Sequence, residues 1–186
     1  IHAGHRRSAL RAGIGYVPAD RAAVGFVGTL GVAENTTMSI VGRLGSRLGI
    51  YRPNDRRRAA APMAEKLSVI ASGSDQPVGE LSGGNQQKVV VGRALIHGPR
   101  VVVAVTPTRG VDVAAKAMLL QALGAEARER GAALLICSDE LDDVMGCDRI
   151  VVLVRGEVAV ELRPPYDRER LIAATEGLDG THQLKS

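Results

Sequence analysis

Three apolar runs dominate the second half of the chain: VVVAV at 101–105, AALLIC at 132–137 and RIVVLV at 149–154. A helical pattern precedes each later run, VAAKAMLLQALGAEARER (113–130) before the second and the short acidic DELDDVMG (139–146) before the third. Strands that read as near-continuous apolar runs and alternate with helices predict a mostly parallel α/β sheet, covered on both faces. Gly156 then turns the chain into EVAVEL (157–162), whose alternation predicts an edge strand. Nearer the start, AGIGYVPADR (12–21) predicts a short strand, Ile14 to Val17, stopped by Pro18. Proline supplies no ladder donor and restricts the residue before it.

Helix signals punctuate the same stretch. Ser82 is placed to cap a helix running to about His97, with Val90/Ala94 and Val91/Leu95 on one face and Gly98-Pro99 as its stop. Asp112 is placed to cap the next helix and Gly131 to end it. Residues 33–72 hold the helical pieces AENTTMSIVGRL and DRRRAAAPMAEKLSVI, broken by Gly45, Gly49 and Pro53, which together read as a small helical insert. There is no internal repeat.

Composition excludes several functions. With 186 residues, 45% of them hydrophobic, the chain is sized for one globular unit with a real core. A net charge of +4 from 24 basic and 20 acidic residues is a mixed surface, not a nucleic-acid footprint, and Arg56 to Arg58 read as a solvated helix face. Aromatic content of 2% leaves little on which bases could stack, so no nucleic-acid partner is expected. Cys137 and Cys147 lack CxxC spacing and nearby histidine, so neither a metal site nor a disulfide framework is expected, and reduced cytosolic thiols are. No apolar run approaches the roughly 18 residues that span a bilayer, and no basic-then-apolar signal opens the chain. Any membrane link is expected through a partner. A start at Ile1 in place of Met is expected of a fragment or a processed chain.

The segment with the most chemistry is LSGGNQQK, Leu81 to Lys88. Ser82 and two glycines at the start of a helix bring backbone N–H groups, a hydroxyl and the positive end of a helix dipole to one spot, which makes an anion cradle. Taken alone, SGG is equally a capped helix whose glycines make a tight turn. The longer string, in which LSGGNQQK is followed by a helix, a Pro-Arg, a strand and PTRGVD (107–112), resembles the signature motif, Walker B strand and D-loop of ATP-binding cassette (ABC) transporter ATPases. GNQQK and TRGVD resemble most the second cassette of sugar importers of the ribose, galactose and xylose type. AGIGYVPADR is similar to the Q-loop region of those cassettes, the helical insert to their helical subdomain, and SDELDDVMGCDRIVVLVRGE (138–157) to their switch region and following strands. The resemblance implies a partial P-loop NTPase fold over residues 1–186, a single nucleotide-binding domain with a helical subdomain at about 30–98 that carries the signature. It also implies ATP and Mg²⁺ as cofactors, a second cassette and a transmembrane permease as partners, and a periplasmic or extracellular sugar-binding protein as an indirect one. The location it implies is cytoplasmic, peripheral on the inner face of the cell membrane.

The same resemblance makes the departures stand out. No segment fits the Walker A pattern GxxxxGK[ST], and no lysine precedes Lys66, as expected if the N-terminal part of a cassette lies outside this chain. Aligned on Pro107-Thr108, the Walker B Asp and catalytic Glu positions fall at Val105 and Thr106. Valine cannot hold a metal shell and threonine is no base near neutral pH, while Val105 on its own simply continues a buried strand. The Q-loop position falls at Ala19, followed by Asp20 and Arg21 as in the family, and the switch histidine position falls at Ser138, where sugar-type second cassettes often differ. The expectation is a degenerate site of its own, with Ser82, Gly83, Gly84, Asn85 and Gln86 serving ATP held by a partner cassette. Asp112 would stand at that interface, although an ordinary N-cap explains it as well, and Val89 to Val91 are expected in the core. The alternatives are a non-catalytic regulatory or dimerisation partner of an active cassette, a truncated remnant without a stable fold, and an ABC ATPase outside transport.

Overall fold

The computed structural model describes residues 6–44 and 52–177, and its contacts divide into two compact units that meet in sequence at Asp139 and Glu140. The first unit runs α1 (Arg6–Arg11), β1 (Ile14–Val17), a π-helical turn at Arg21–Gly25, α2 (Val32–Thr37), α3 (Val41–Leu44), α4 (Pro53–Lys66), α5 (Gly83–Leu95), β2 (Val101–Val105), α6 (Val113–Arg130) and β3 (Ala133–Cys137). Its three strands lie in the order β1-β2-β3, all parallel, with Val17 opposite Ala104 and Val105 opposite Cys137. Because each link between them contains a helix, the parallel arrangement follows.

Helix α5 is the centre of this unit. Val89, Val90, Val91, Ala94 and Leu95 are all buried, so the cover extends beyond the one face expected from the Val90/Ala94 and Val91/Leu95 pairs. Val90, Val91, Ala94 and Leu95 share one cluster with Val17, Val102 and Ala104 of the sheet, Leu119 and Leu123 of α6, and Met63 and Leu67 at the end of α4. One helix therefore joins the sheet, its neighbour helix and the insert. The approach of β1 is so close that a Cβ on Gly15 would stand 2.5 Å from the Ala94 carbonyl oxygen, so only glycine fits there.

Three sequence expectations need correction. The sheet is not covered on both faces: β3 alternates exposed and half-buried residues, and Tyr16 and Leu135 are each 54% exposed. Helices α5 and α6 cover the face bearing Val17, Val102 and Ala104. An apolar run reports the affinity of a strand for cover, not whether cover exists on each side. Pro53 does not interrupt a helix but opens α4, at the position where its missing N–H costs nothing, whereas Pro62 lies inside that helix. Gly45 and Gly49 lie outside the described residues. The run RIVVLV does not join the parallel sheet, as the second unit shows.

That unit contains α7 (Leu141–Val144), β4 (Ile150–Val154), β5 (Glu157–Leu162) and α8 (Arg168–Thr175). β4 and β5 form a separate antiparallel pair. Arg155 and Gly156 both take positive φ, +51° and +85°, which is the backbone of a tight two-residue hairpin turn and explains why β4 pairs with its immediate successor. Leu171 and Ala174 of α8 are fully buried with Ile150 and Val152.

Two buried polar devices hold the insert of the first unit. Asn35, fully buried, accepts from the Val27 N–H at 2.8 Å and donates to the carbonyls of Val27, Leu30 and Gly31, which fixes the loop before α2. Glu126 of α6 is 1% exposed and accepts from Lys66 of α4 and Arg130 of its own helix. Burial alone would raise its pKa, but the hydrogen bonds from Lys66 and Arg130 outweigh burial and hold the carboxyl below its ordinary value. A depressed folded-state pKa stabilises the fold above the unfolded value and loses that stabilisation as pH falls through the folded one. Thermal melts should therefore weaken as pH falls below about 4.5. Glu126→Gln should flatten that acid limb while costing about 1–3 kcal/mol at neutral pH, read by chemical denaturation.

Candidate functional site

The N-terminus of α5 emerges beside the C-terminal end of β2, and three loops meet there. Ser82 stands at the N-cap position, exposed, and its carbonyl accepts the first helical bond from the Gln86 N–H at 2.9 Å. Its hydroxyl does not cap the helix, which corrects the sequence expectation. Instead Ser82 Oγ accepts from Asn85 Nδ2 at 3.0 Å, while Asn85 Oδ1 accepts from the Ile70 N–H at 2.9 Å. Asn85 has claimed the serine, so the first N–H groups of α5 keep no side-chain cap and face outward at the positive end of the helix. Gln86 folds back, donating to the carbonyls of Leu81 at 3.1 Å and Gly79 at 3.4 Å, and so braces the loop from behind.

The second loop follows β2. Val105 ends the strand half-buried, and Thr106 takes a left-handed backbone with φ +41°. The Thr106 N–H donates to the Cys137 carbonyl at 2.7 Å, its own carbonyl accepts from the Arg109 N–H at 3.1 Å, and its hydroxyl is buried without a hydrogen-bond partner. Ser138, half-buried, follows Cys137 directly, so the two positions where the resemblance implies a catalytic Glu and a switch His are brought together. Asp112 caps α6 as expected, Oδ1 accepting from the Ala115 N–H at 2.9 Å. Its other oxygen faces Gly84: a Cβ built there would stand 3.8 Å from Asp112 Oδ2, in ordinary contact.

The third loop is Ala19 to Arg21. Asp20 caps the π-helical turn by accepting from the Ala23 N–H at 2.9 Å. Arg21, half-buried, reaches across to the second loop, Nη1 donating to the Arg109 carbonyl at 2.5 Å and Nη2 to the Gly110 carbonyl at 3.3 Å. A Cβ on Gly83 would lie 2.7 Å from Arg21 Nη2 and 3.1 Å from the Gly110 oxygen, so a side chain at position 83 would have to push the Arg21 guanidinium aside.

This arrangement fits an anion and does not fit a metal. Uncapped amides and an exposed hydroxyl converge at the α5 terminus, which is suited to phosphate oxygens. At the strand end Val105 and Thr106 offer no carboxylate, and among the described residues no group of three or more His, Cys, Asp or Glu side chains could hold a metal ion. Asp20 and Asp112 are both committed to helix caps. No described helix is long and apolar enough to cross a membrane.

Sequence reasoning missed two contributors. Gln87 is 2% exposed and donates from Nε2 to the Pro107 carbonyl at 2.7 Å, tying α5 to the loop after β2. The signal was available, since Gln87 lies on the same helical face as the buried Val90, Val91 and Ala94. The span of Arg21 to residues 109 and 110 has no local signal at all. Gln87→Met keeps the volume and removes the donor. Leaving the Pro107 carbonyl unpaired should cost about 1–3 kcal/mol in denaturant unfolding.

No protein-family model matches the chain. Individual relatives do. The ribose import ATP-binding protein RbsA of Chelativorans sp. (strain BNC1) is 41% identical over 174 residues, 93% of this chain and 34% of that protein. The xylose import ATP-binding protein XylG of Burkholderia ambifaria is 43% identical over 151 residues, 81% of this chain and 29% of its own length. The chain thus spans about a third of the length of the curated relatives it matches. Among solved structures, the dimeric bacterial ABC transporter cassette MJ0796 superposes with a TM-score of 0.74 at 22% identity, over 88% of this chain and 68% of that one.

Proposed function

This chain has the fold of an ABC ATP-binding cassette, and its homologues over nearly its whole length are sugar-import ATP-binding proteins; from that premise we propose that it donates a signature motif, in trans, to ATP held by a partner cassette of a sugar importer. It is the later part of a second cassette, residues 1–186 forming one partial nucleotide-binding domain whose helical subdomain spans about 30–98. The observation that carries this reading is the asymmetry of the site. At the α5 terminus stand the parts that can face an anion, exposed Ser82, the amides from Gly83 onward and the open approach at Gly84, with Asn85 holding the serine. At the strand end the metal-holding and base positions are Val105 and Thr106.

ATP supplies a γ-phosphate whose charge a helix N-terminus can bind, while no ligand set for Mg²⁺ is found among the described residues, so the metal and the rest of the nucleotide would be held mainly by the partner's residues. Ser82 offers its hydroxyl to a phosphate oxygen, Gly84 leaves the approach open, Gln86 braces the loop, and Asp112 stands at the edge facing the partner. Coupling to transport passes through a permease, with a sugar-binding protein outside the membrane acting on that permease, and the cassette works peripherally on the cytoplasmic face. The strand end, lacking carboxylates, also favours a second reading, a regulatory partner that uses the fold only to pair with an active cassette.

Ser82→Arg separates these readings. A long side chain at the N-cap fills the approach to the amides, so ATP turnover by the assembled transporter should fall by at least about tenfold if the motif works in trans. Unchanged turnover would leave only the pairing role. In a protein that also provides a P-loop, Val105→Asp with Thr106→Glu should restore steady-state phosphate release from this chain's own site, and no gain would count against a degenerate site. Titration calorimetry offers a further check: Mg-ATP should give no heat with this chain alone, and the intact partner cassette should bind ATP more tightly once the chain is added.

A further inference from the structure

Arg21 is half-buried at a place where a cation is not expected. It stands at the positive end of α5, with Nη2 over Gly83, and the dipole of that helix opposes a positive charge there. What holds it are two successive backbone carbonyls, Arg109 at 2.5 Å and Gly110 at 3.3 Å, in the loop that leads to Asp112. Gly110 has φ +67°, which keeps that loop's turn in a shape other residues adopt at a cost.

We propose that Arg21 is a positioning residue that clamps the 106–112 loop against the start of α5, and that Gly83 is glycine because the guanidinium occupies the space of its side chain. The two glycines of the motif then have different causes. Gly83 is packed from behind by Arg21 and the Gly110 carbonyl, with clearances of 2.7 and 3.1 Å for an added Cβ, whereas the Cβ of an alanine at Gly84 would meet only contacts of 3.8 Å or more. Gly83 serves the clamp, and Gly84 leaves space for a ligand. The clamp depends on the fork of the guanidinium, which donates to two acceptors at once from one rigid plane. A lysine ammonium carries the same charge on a flexible stem and does not reproduce that pairing.

The functional part of this inference rests on the trans reading above; the structural part does not. In this chain, Arg21→Ala should raise amide hydrogen exchange across residues 108–112 and at 83–86, and Arg21→Lys should do nearly the same. In the assembled transporter the loosened loops lower the fraction of signature in its competent arrangement, so KM for Mg-ATP should rise by about tenfold while kcat changes by less than about threefold. Gly83→Ala should raise KM similarly in the Arg21 background and much less in the Arg21→Ala background, since the clash with the guanidinium is then gone. Exchange that is unchanged in both Arg21 variants, full rescue by lysine, or additive Arg21 and Gly83 effects would each overturn the clamp. If Arg21→Ala fails to fold, Arg21→Lys and Gly83→Ala carry the same test. Unchanged turnover in Ser82→Arg would overturn the trans reading and leave the exchange result standing. Lost turnover in Ser82→Arg with a wild-type Arg21→Ala would overturn only the clamp.

Discussion

The burial of α5 on three sides is the constraint from which the site follows. Its valines face β1 and β2, α6 and the end of α4 at once, so the helix has no freedom to rotate or slide without opening the cluster. Removing a large side chain from such a cluster costs about 2–5 kcal/mol, a large part of the stability of a typical domain. The position of the N-terminus of α5 is therefore set by its middle. The rigid part of the fold thus aims the amides at the start of α5.

Around that helix, polar side chains do the joining that apolar packing cannot. Gln87 reaches the loop after β2, Asn85 reaches the insert at Ile70, Arg21 crosses to residues 109 and 110, and Lys66 and Arg130 meet over Glu126. Most of these bonds end on backbone carbonyls or amides, so they fix main-chain paths instead of pairing side chains with one another. A carbonyl buried by the close approach of two loops needs a donor, and a long amide or guanidinium from a third segment can supply it. The same bonds make the signature loop, the strand end and the turn after Pro18 a single mechanical object.

Much of this was legible beforehand because it depends on short-range physics. The strand at 14–17, the strand at 101–105, the Asp112 cap and the buried Val89 to Val91 all follow from local pattern, and the structure carries them. Ser82 at the start of α5 was equally legible, but the partner of its hydroxyl was not, because Asn85 competes for it only once Ile70 has been brought alongside. The span of Arg21 to residues 109 and 110 connects positions nearly ninety apart and leaves no periodic trace. The apolar run of β3 implies an enclosed strand, yet its outer residues are exposed, since hydrophobicity states a preference and topology decides whether it is met. Gly156 marks the turn into β5, but the regular alternation of strands and helices upstream implies one parallel sheet, and only the positive φ of Arg155 and Gly156 shows that β4 pairs with β5 instead.

Thr106 shows how shape and chemistry come apart. A β-branched residue in the left-handed region is uncommon, and its hydroxyl is buried without a partner, so the side chain itself gives no reason for the conformation. The reason lies in the main chain: the Cys137 carbonyl takes its N–H, and the Arg109 N–H takes its carbonyl. The corner acts as a mould, formed by neighbours and imposed on whatever occupies it. A fold that casts its corner this way can exchange the side chain there without altering the surrounding architecture, so the path of the main chain and the chemistry it carries are set by different residues.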